Sequence, residues 1–294
     1  LVFRLVAVAY ANAAIGLRNM WQLSETVKVS TSAEKVHTIS GVNQEAKALT
    51  GGIEYTPSPL IKTSARLEWR DDQYTESWLS TAGLALKVDR DYTLLAKNNY
   101  LLQKRKTADA GDSTQDRIML GVAYRPVDNN KIDALARMEY RIEDDTALAN
   151  PIKRRAAIAA LSGNYHPSRP WTVYGRYAFK HVNERTPEAN ASYNAHLVGG
   201  RVTYDLNNRW DVGAQANLLW SPGGTRQYAV GLEAGYLIQD NLWVSLGFNF
   251  TGFEDKDLTS SEYTNRGLYL RLRYKFDEEL FATHAAAAKQ GASK

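Results

Sequence analysis

From about residue 46 onward, apolar side chains alternate with polar or small ones through segments of roughly ten to fourteen residues, the period of two that defines strands. In Ile61 to Arg70 one face reads Ile61, Thr63, Ala65, Leu67, Trp69 and the other reads Lys62, Ser64, Arg66, Glu68, Arg70. The pattern recurs over 131–141 and 267–276, and further segments follow at 78–88, 92–103, 116–125, 155–166, 171–182, 193–205, 209–220, 226–238 and 241–252. With 15–23, 27–38 and 47–56, fifteen strands are predicted.

The connections alternate in length. Short ones (24–26, 56–59, 89–91, 126–130, 167–170, 206–208, 239–240) separate mostly longer polar ones (40–46, 71–77, 104–115, 143–153, 183–192, 221–225, 252–262). In an up-and-down meander, alternate turns lie at opposite ends, so one rim is tight and the other carries long loops, as in outer-membrane barrels with the tight rim in the periplasm. The last strand ends on the tight side, and an antiparallel barrel that closes needs an even count. Leu1 to Tyr10 (LVFRLVAVAY) supplies a sixteenth strand that turns at Ala11-Asn12-Ala13. A signal peptide is the rival reading of that apolar stretch. The predicted fold is thus all-β: a transmembrane antiparallel up-and-down β-barrel of about sixteen strands over residues 1–276, with 277–294 a short periplasmic tail.

Aromatic residues fall into two bands on the apolar faces, as bilayer interfaces favour. Tyr55, Tyr92, Tyr124, Trp171, Tyr204, Trp210, Tyr236 and Tyr274 lie near the tight turns, and Trp69, Trp78, Trp220 and Phe250 lie near the long loops. Trp210 and Trp220 are ten residues apart on one strand, about 25 Å of height at a tilt near 40°, the height of an apolar belt. The opposite faces then line a lumen: Lys62, Arg66, Glu68, Arg70, Arg117, Arg137, Glu139, Arg141, Arg176, Lys180, Arg201, Glu233, Arg271, Arg273 and Lys275. Two readings of this row stand: a field favouring anionic solutes, or cross-wall ion pairs that hold shape.

Composition narrows the function classes. No run of eighteen apolar residues exists, so a spanning helix is excluded. Cysteine is absent, which removes thiolate metal sites, thiol nucleophiles and disulfides. The 36 basic and 32 acidic residues are interspersed, a weak footprint for nucleic acid, which is not expected as a partner. His37, His166, His181, His196 and His284 have no metal-site spacing, and no serine stands out beside the outward His196. No catalytic, cofactor-binding or metal residues are assigned, and no enzymatic activity is expected. Asp255-Lys256-Asp257 and Glu143-Asp144-Asp145 read as loop charges, either solvated or bridging cations.

The stretch from Tyr236 (YLIQDNLWVSLGFNFTGF) and the stretch from Tyr263 (YTNRGLYLRLRYKFD) resemble the closing strands of outer-membrane barrels found at the C-terminus of large modular proteobacterial surface proteins. The terminal strand also resembles the signal read by the barrel-assembly machinery, with Gly267, Leu272, Tyr274 and Phe276 at the matching positions, although Phe276 is followed by eighteen further residues, 277–294. The resemblance implies a membrane anchor for upstream modules of the same chain or an associated surface protein, without cofactors. Its partners would be outer-membrane lipid, lipopolysaccharide and the assembly machinery, with both termini periplasmic and long loops extracellular. A start already inside a strand agrees with upstream sequence. The alternative is a free-standing porin for small anionic solutes. Small outward residues such as Ala65 and Ala134 leave room for a homo-oligomer.

Overall fold

The computed structural model describes residues 11–40, 45–107, 111–146, 151–239, 242–255, 257–258 and 264–274. Among them are fifteen strands and no helix. These are β1 (Ala11–Gln22), β2 (Val27–Ser40), β3 (Ala46–Ser58), β4 (Ile61–Asp72), β5 (Thr75–Lys87), β6 (Tyr92–Arg105), β7 (Asp112–Tyr124) and β8 (Ile132–Asp145). They continue as β9 (Ile152–Tyr165), β10 (Trp171–Arg185), β11 (Asn190–Asp205), β12 (Trp210–Trp220), β13 (Arg226–Gln239), β14 (Leu242–Thr251) and β15 (Gly267–Tyr274). They form one sheet in strict sequence order, β1 to β15. Two compact units share it: residues 1–163, 177–196 and 221–223, and residues 164–176, 197–220 and 224–294.

Alternation decides which side chains share a face, and β12 shows it cleanly. Asp211, Gly213, Gln215, Asn217 and Leu219 are buried while Trp210, Val212, Ala214, Ala216 and Leu218 are exposed. Exposed large apolar side chains continue along β13 to β15 at Val230, Leu232, Leu246, Phe248, Leu268, Leu270 and Leu272. A water-soluble sheet would bury such a face; an apolar row left outward is what a hydrocarbon solvent demands.

Side-chain caps fix the turns. The Asp89 carboxylate accepts from the N–H groups of Asp91 and Tyr92 at 2.8 Å each, and the Asn207 amide oxygen accepts from Arg209 and Trp210 at 2.8 and 3.0 Å. Both are Asx geometries that close a tight connection. Directly beyond them the aromatic rings meet across strands: Tyr92 with Tyr124 at 4.9 Å, Trp171 with Tyr204 at 4.7 Å, and Trp210 with Tyr236 at 4.7 Å between centroids.

Three expectations need correction. Ala11-Asn12-Ala13 is strand rather than turn, because β1 continues its pairing to Ser40, Thr38 and His37. Glu143, Asp144 and Asp145 belong to β8 rather than to a loop, in register with Gln115, Thr114 and Ser113. Residues 71–77 contract to Gln73 and Tyr74, since Asp71 pairs with Glu76 and Asp72 caps the Tyr74 and Thr75 N–H groups at 2.8 and 2.7 Å. Strand ends rich in charge remain strands where carboxylates find partners across the ladder. The expected strand over Leu1 to Tyr10, Lys275, Phe276 and the tail 277–294 lie outside the described residues.

Candidate functional site

The first unit carries a lattice of charge on its polar face. Lys62 meets Glu54 at 3.0 Å, Arg66 meets Glu68 at 2.5 Å and Arg70 meets Glu68 at 3.8 Å. Further along, the Glu139 carboxylate, only 2% exposed, receives Arg117 at 3.2 Å and Arg141 at 2.5 Å. Buried Arg154 spans from Glu143 at 3.2 Å to Glu184 at 3.7 Å, and Lys180 sits 5.7 Å from the centre of the Tyr193 ring. Exposure separates two regimes: the Arg66 and Arg70 side chains stay 58% and 48% exposed, whereas Arg141 is 8% exposed and paired. Lys62, Arg137 and Lys97, the last not singled out by the sequence, line a depression of about 560 Å³.

The second unit replaces this open lattice with a closed network. Glu233 receives Arg201 at 3.4 Å, Arg271 at 3.3 Å and the Tyr269 hydroxyl at 3.1 Å. Gln215 accepts from Arg201 at 2.9 Å and donates to the Asn249 oxygen at 2.7 Å and to the Tyr269 hydroxyl oxygen at 3.2 Å. Glycines make the space for these side chains. A Cβ at Gly247 would collide with the Tyr269 ring, one at Gly231 with the Asn249 amide, and one at Gly235 with the Asp211 carboxylate. In each case the two residues are register partners on adjacent strands, so the large side chain lies flat across the bare backbone opposite.

Between β14 and β15 the chain does not simply turn. The Leu258 carbonyl accepts from the Arg176 guanidinium at 2.5 Å, and the Asn265 carbonyl accepts from the Asn249 amide at 2.9 Å. Arg176 stands on β10 and Asn249 on β14, four strands apart in the sheet, about 19 Å at the usual strand spacing. Leu258 therefore sits over the polar face of its own unit, away from the β14–β15 edge. Asp257 is 0% exposed, Phe253 and Leu258 are buried, and Phe253 closes onto Thr264 through its N–H at 3.0 Å. This corrects the reading of Asp255 and Asp257 as solvated loop charges: Asp255 caps the N–H groups of Asp257 and Leu258 at 3.0 and 2.9 Å. Glu143, Asp144 and Asp145 are likewise spoken for, by Arg154, Arg155 and Arg105.

On the apolar face, Glu76 accepts from the indole N–H groups of both Trp69 and Trp78 at 3.2 Å, which seats that pair at a polar boundary. Tyr55 and Phe250 are also exposed there, while Trp220 is half-buried. In β15, Gly267 adopts φ 126°, Leu272 is exposed, and the backbones of Arg273 and Tyr274 pair with Trp243 and Leu242. The described histidines bond to Glu45 (His37), Thr172 (His166), Asn194 (His181) and Tyr177 (His196). Among the described residues no three His, Asp or Glu side chains group as a metal site.

No family profile matches the chain, and no curated protein matches it in sequence. Solved structures do. The alcaligin outer-membrane receptor FauA of Bordetella pertussis aligns over 94% of this chain and 67% of its own, with a TM-score of 0.56 and 12% identity. The fold is that of an outer-membrane β-barrel. The ferric-catecholate import receptor Fiu of E. coli K12 aligns over 81% of this chain and 58% of its own at 9% identity and a TM-score of 0.61. A bacterial polysaccharide outer-membrane secretin aligns over 90% of this chain and 91% of its own at 10% identity and a TM-score of 0.53. Against several of the receptors the chain spans little more than half their length, 57% for the ferric citrate transporter FecA. At such identities the likeness carries the architecture and not the cargo.

Proposed function

We propose that the chain is a barrel of the bacterial outer membrane that anchors a larger surface or envelope protein, with solute passage incidental and no enzymatic role. The bonds of Leu258 to Arg176 and of Asn265 to Asn249 carry this reading, because they set residues of the β14–β15 connection against polar-face side chains, in space that a diffusion pore keeps open. The network around Glu233 supports it, since side chains committed to one another are poor ligands for a passing solute. Periplasmic termini, extracellular long loops and upstream modules belong to the same proposal, as does recognition of Gly267, Leu272, Tyr274 and Phe276 by the assembly machinery.

The test is conductance in planar bilayers of the wild-type chain and of Arg176→Ala/Asn249→Ala. Small or absent steps that grow in the variant are expected. Large, steady, anion-preferring steps from the wild type would overturn anchoring in favour of a porin. That second reading rests on the exposed Arg66 and Arg70 and on the depression lined by Lys62, Lys97 and Arg137.

A further inference from the structure

Strand parity gives β8, β9 and β10 an apolar face bearing Met138, Leu161, Tyr177 and Phe179. At the end of this face that carries the β8–β9 and β10–β11 connections, within the first unit, the pattern breaks. Lys153 and Arg155 on β9 and His181, Asn183 and Arg185 on β10 line, with Tyr140, a cleft of about 360 Å³. They share this face because Arg154 and Val182, one residue out of phase, are buried on the opposite side. Arg155 is fixed by the Asp144 carboxylate through two bonds of 2.6 and 2.9 Å, and His181 by Asn194 at 2.7 Å. Lys153 and Arg185 are exposed, and Lys153 shares the field of the same Asp144 carboxylate. Three permanent cations thus face one carboxylate.

A cation on a lipid-facing wall is costly at the bilayer midplane and tolerated at the interface. The position at the end of the strands is therefore where a basic cluster is tolerated, and an anionic headgroup would neutralise it. What lies below decides the class of ligand. Tyr140 and Ala157 are shared between the cleft and an apolar groove of about 320 Å³, lined also by Leu120, Met138, Ala159 and Phe179. A basic head site opening directly onto an apolar channel is the outline of a single amphiphile. A free phosphate would use only the upper half. Arg155 gives the fork of its two terminal nitrogens to Asp144 and keeps its Nε edge for an anion, and Lys153 and Arg185 supply charge around it.

We propose that Lys153, Arg155 and Arg185 bind the phosphate headgroup of an anionic lipid whose acyl chain lies in the groove below Tyr140. In the orientation proposed above this rim is the extracellular one, so the lipid is one of the extracellular leaflet. The inference rests on the membrane-barrel reading above, and the experiment separates the two. The full chain is folded in neutral detergent micelles, and folding is scored by a heat-modifiable band on gels. Retention of bisphosphorylated lipid A and of its dephosphorylated form is then counted by native mass spectrometry. The wild type should retain the phosphorylated lipid about tenfold more tightly than Lys153→Gln/Arg185→Gln, with the dephosphorylated lipid weak on both. Asn183→Glu, which adds a carboxylate to the cleft without removing a cation, should give the same loss if the double variant folds poorly. Equal retention of the two lipids, or equal retention by wild type and folded variants, overturns the headgroup site. Displacement by millimolar inorganic phosphate assigns the cleft to the free anion and overturns the lipid. A chain with no heat-modifiable form in micelles removes the membrane reading itself, independently of any lipid result.

Discussion

Glu233 and Glu68 are both polar-face carboxylates beside arginines, yet their surroundings rank them very differently. Glu233 is 6% exposed and holds Arg201, Arg271 and Tyr269, so Glu233→Gln leaves two guanidinium groups short of their counter-charge. A loss of about 3 kcal/mol is expected, read as a lower urea midpoint for unfolding from micelles. Arg66→Gln, at a 58% exposed pair, should cost under about 1 kcal/mol in the same assay. Gly247 is constrained by room rather than by charge. Gly247→Ala drives a methyl into the Tyr269 ring and should destabilise by about 1–3 kcal/mol, with Tyr269→Ala in the same chain returning part of the loss.

At the scale of elements, the period of two was legible in almost every strand, because an apolar face and a polar face leave different residues along the chain. Tyr92 and Tyr124, or Trp210 and Tyr236, are expected near the same short turns from spacing alone, and the structure pairs them in register. Two things were hidden. Strand ends such as Glu143–Asp145 look like loops, since the partners that hold them, Arg105, Arg154 and Arg155, come from strands that only the register brings alongside. The fold-over between β14 and β15 was hidden for the same reason: Arg176 lies 82 residues before Leu258, and no local pattern announces the bond. The contrast between the two kinds of connection gives a further test. A ten-residue epitope inserted after the exposed Gly223, between β12 and β13, should be tolerated and antibody-accessible on intact cells. The same insertion after Arg90, inside the Asp89 cap, should abolish the folded form. Accessibility of the Arg90 insertion in place of the Gly223 one would reverse the assigned orientation.

For the whole molecule, an apolar face left bare from β1 to β15 predicts a chain that needs amphiphile to stay folded. In micelles at room temperature it should migrate faster on gels than after boiling, with a circular dichroism spectrum dominated by strand. Dilution below the critical micelle concentration should precipitate it; a stable monomer in plain buffer would remove the lipid-facing assignment.

Among the described strands, each one's neighbours in the sheet are its neighbours in sequence. A wall written in this way can change size without being rewired. Duplicating one hairpin inserts two strands and leaves all other pairs as they were, so the circumference can grow or shrink in steps of two within a lineage. Losing a single strand is a different event. It inverts the direction of everything downstream, exchanges tight turns for long loops at each rim, and delivers the C-terminus to the opposite side of the membrane.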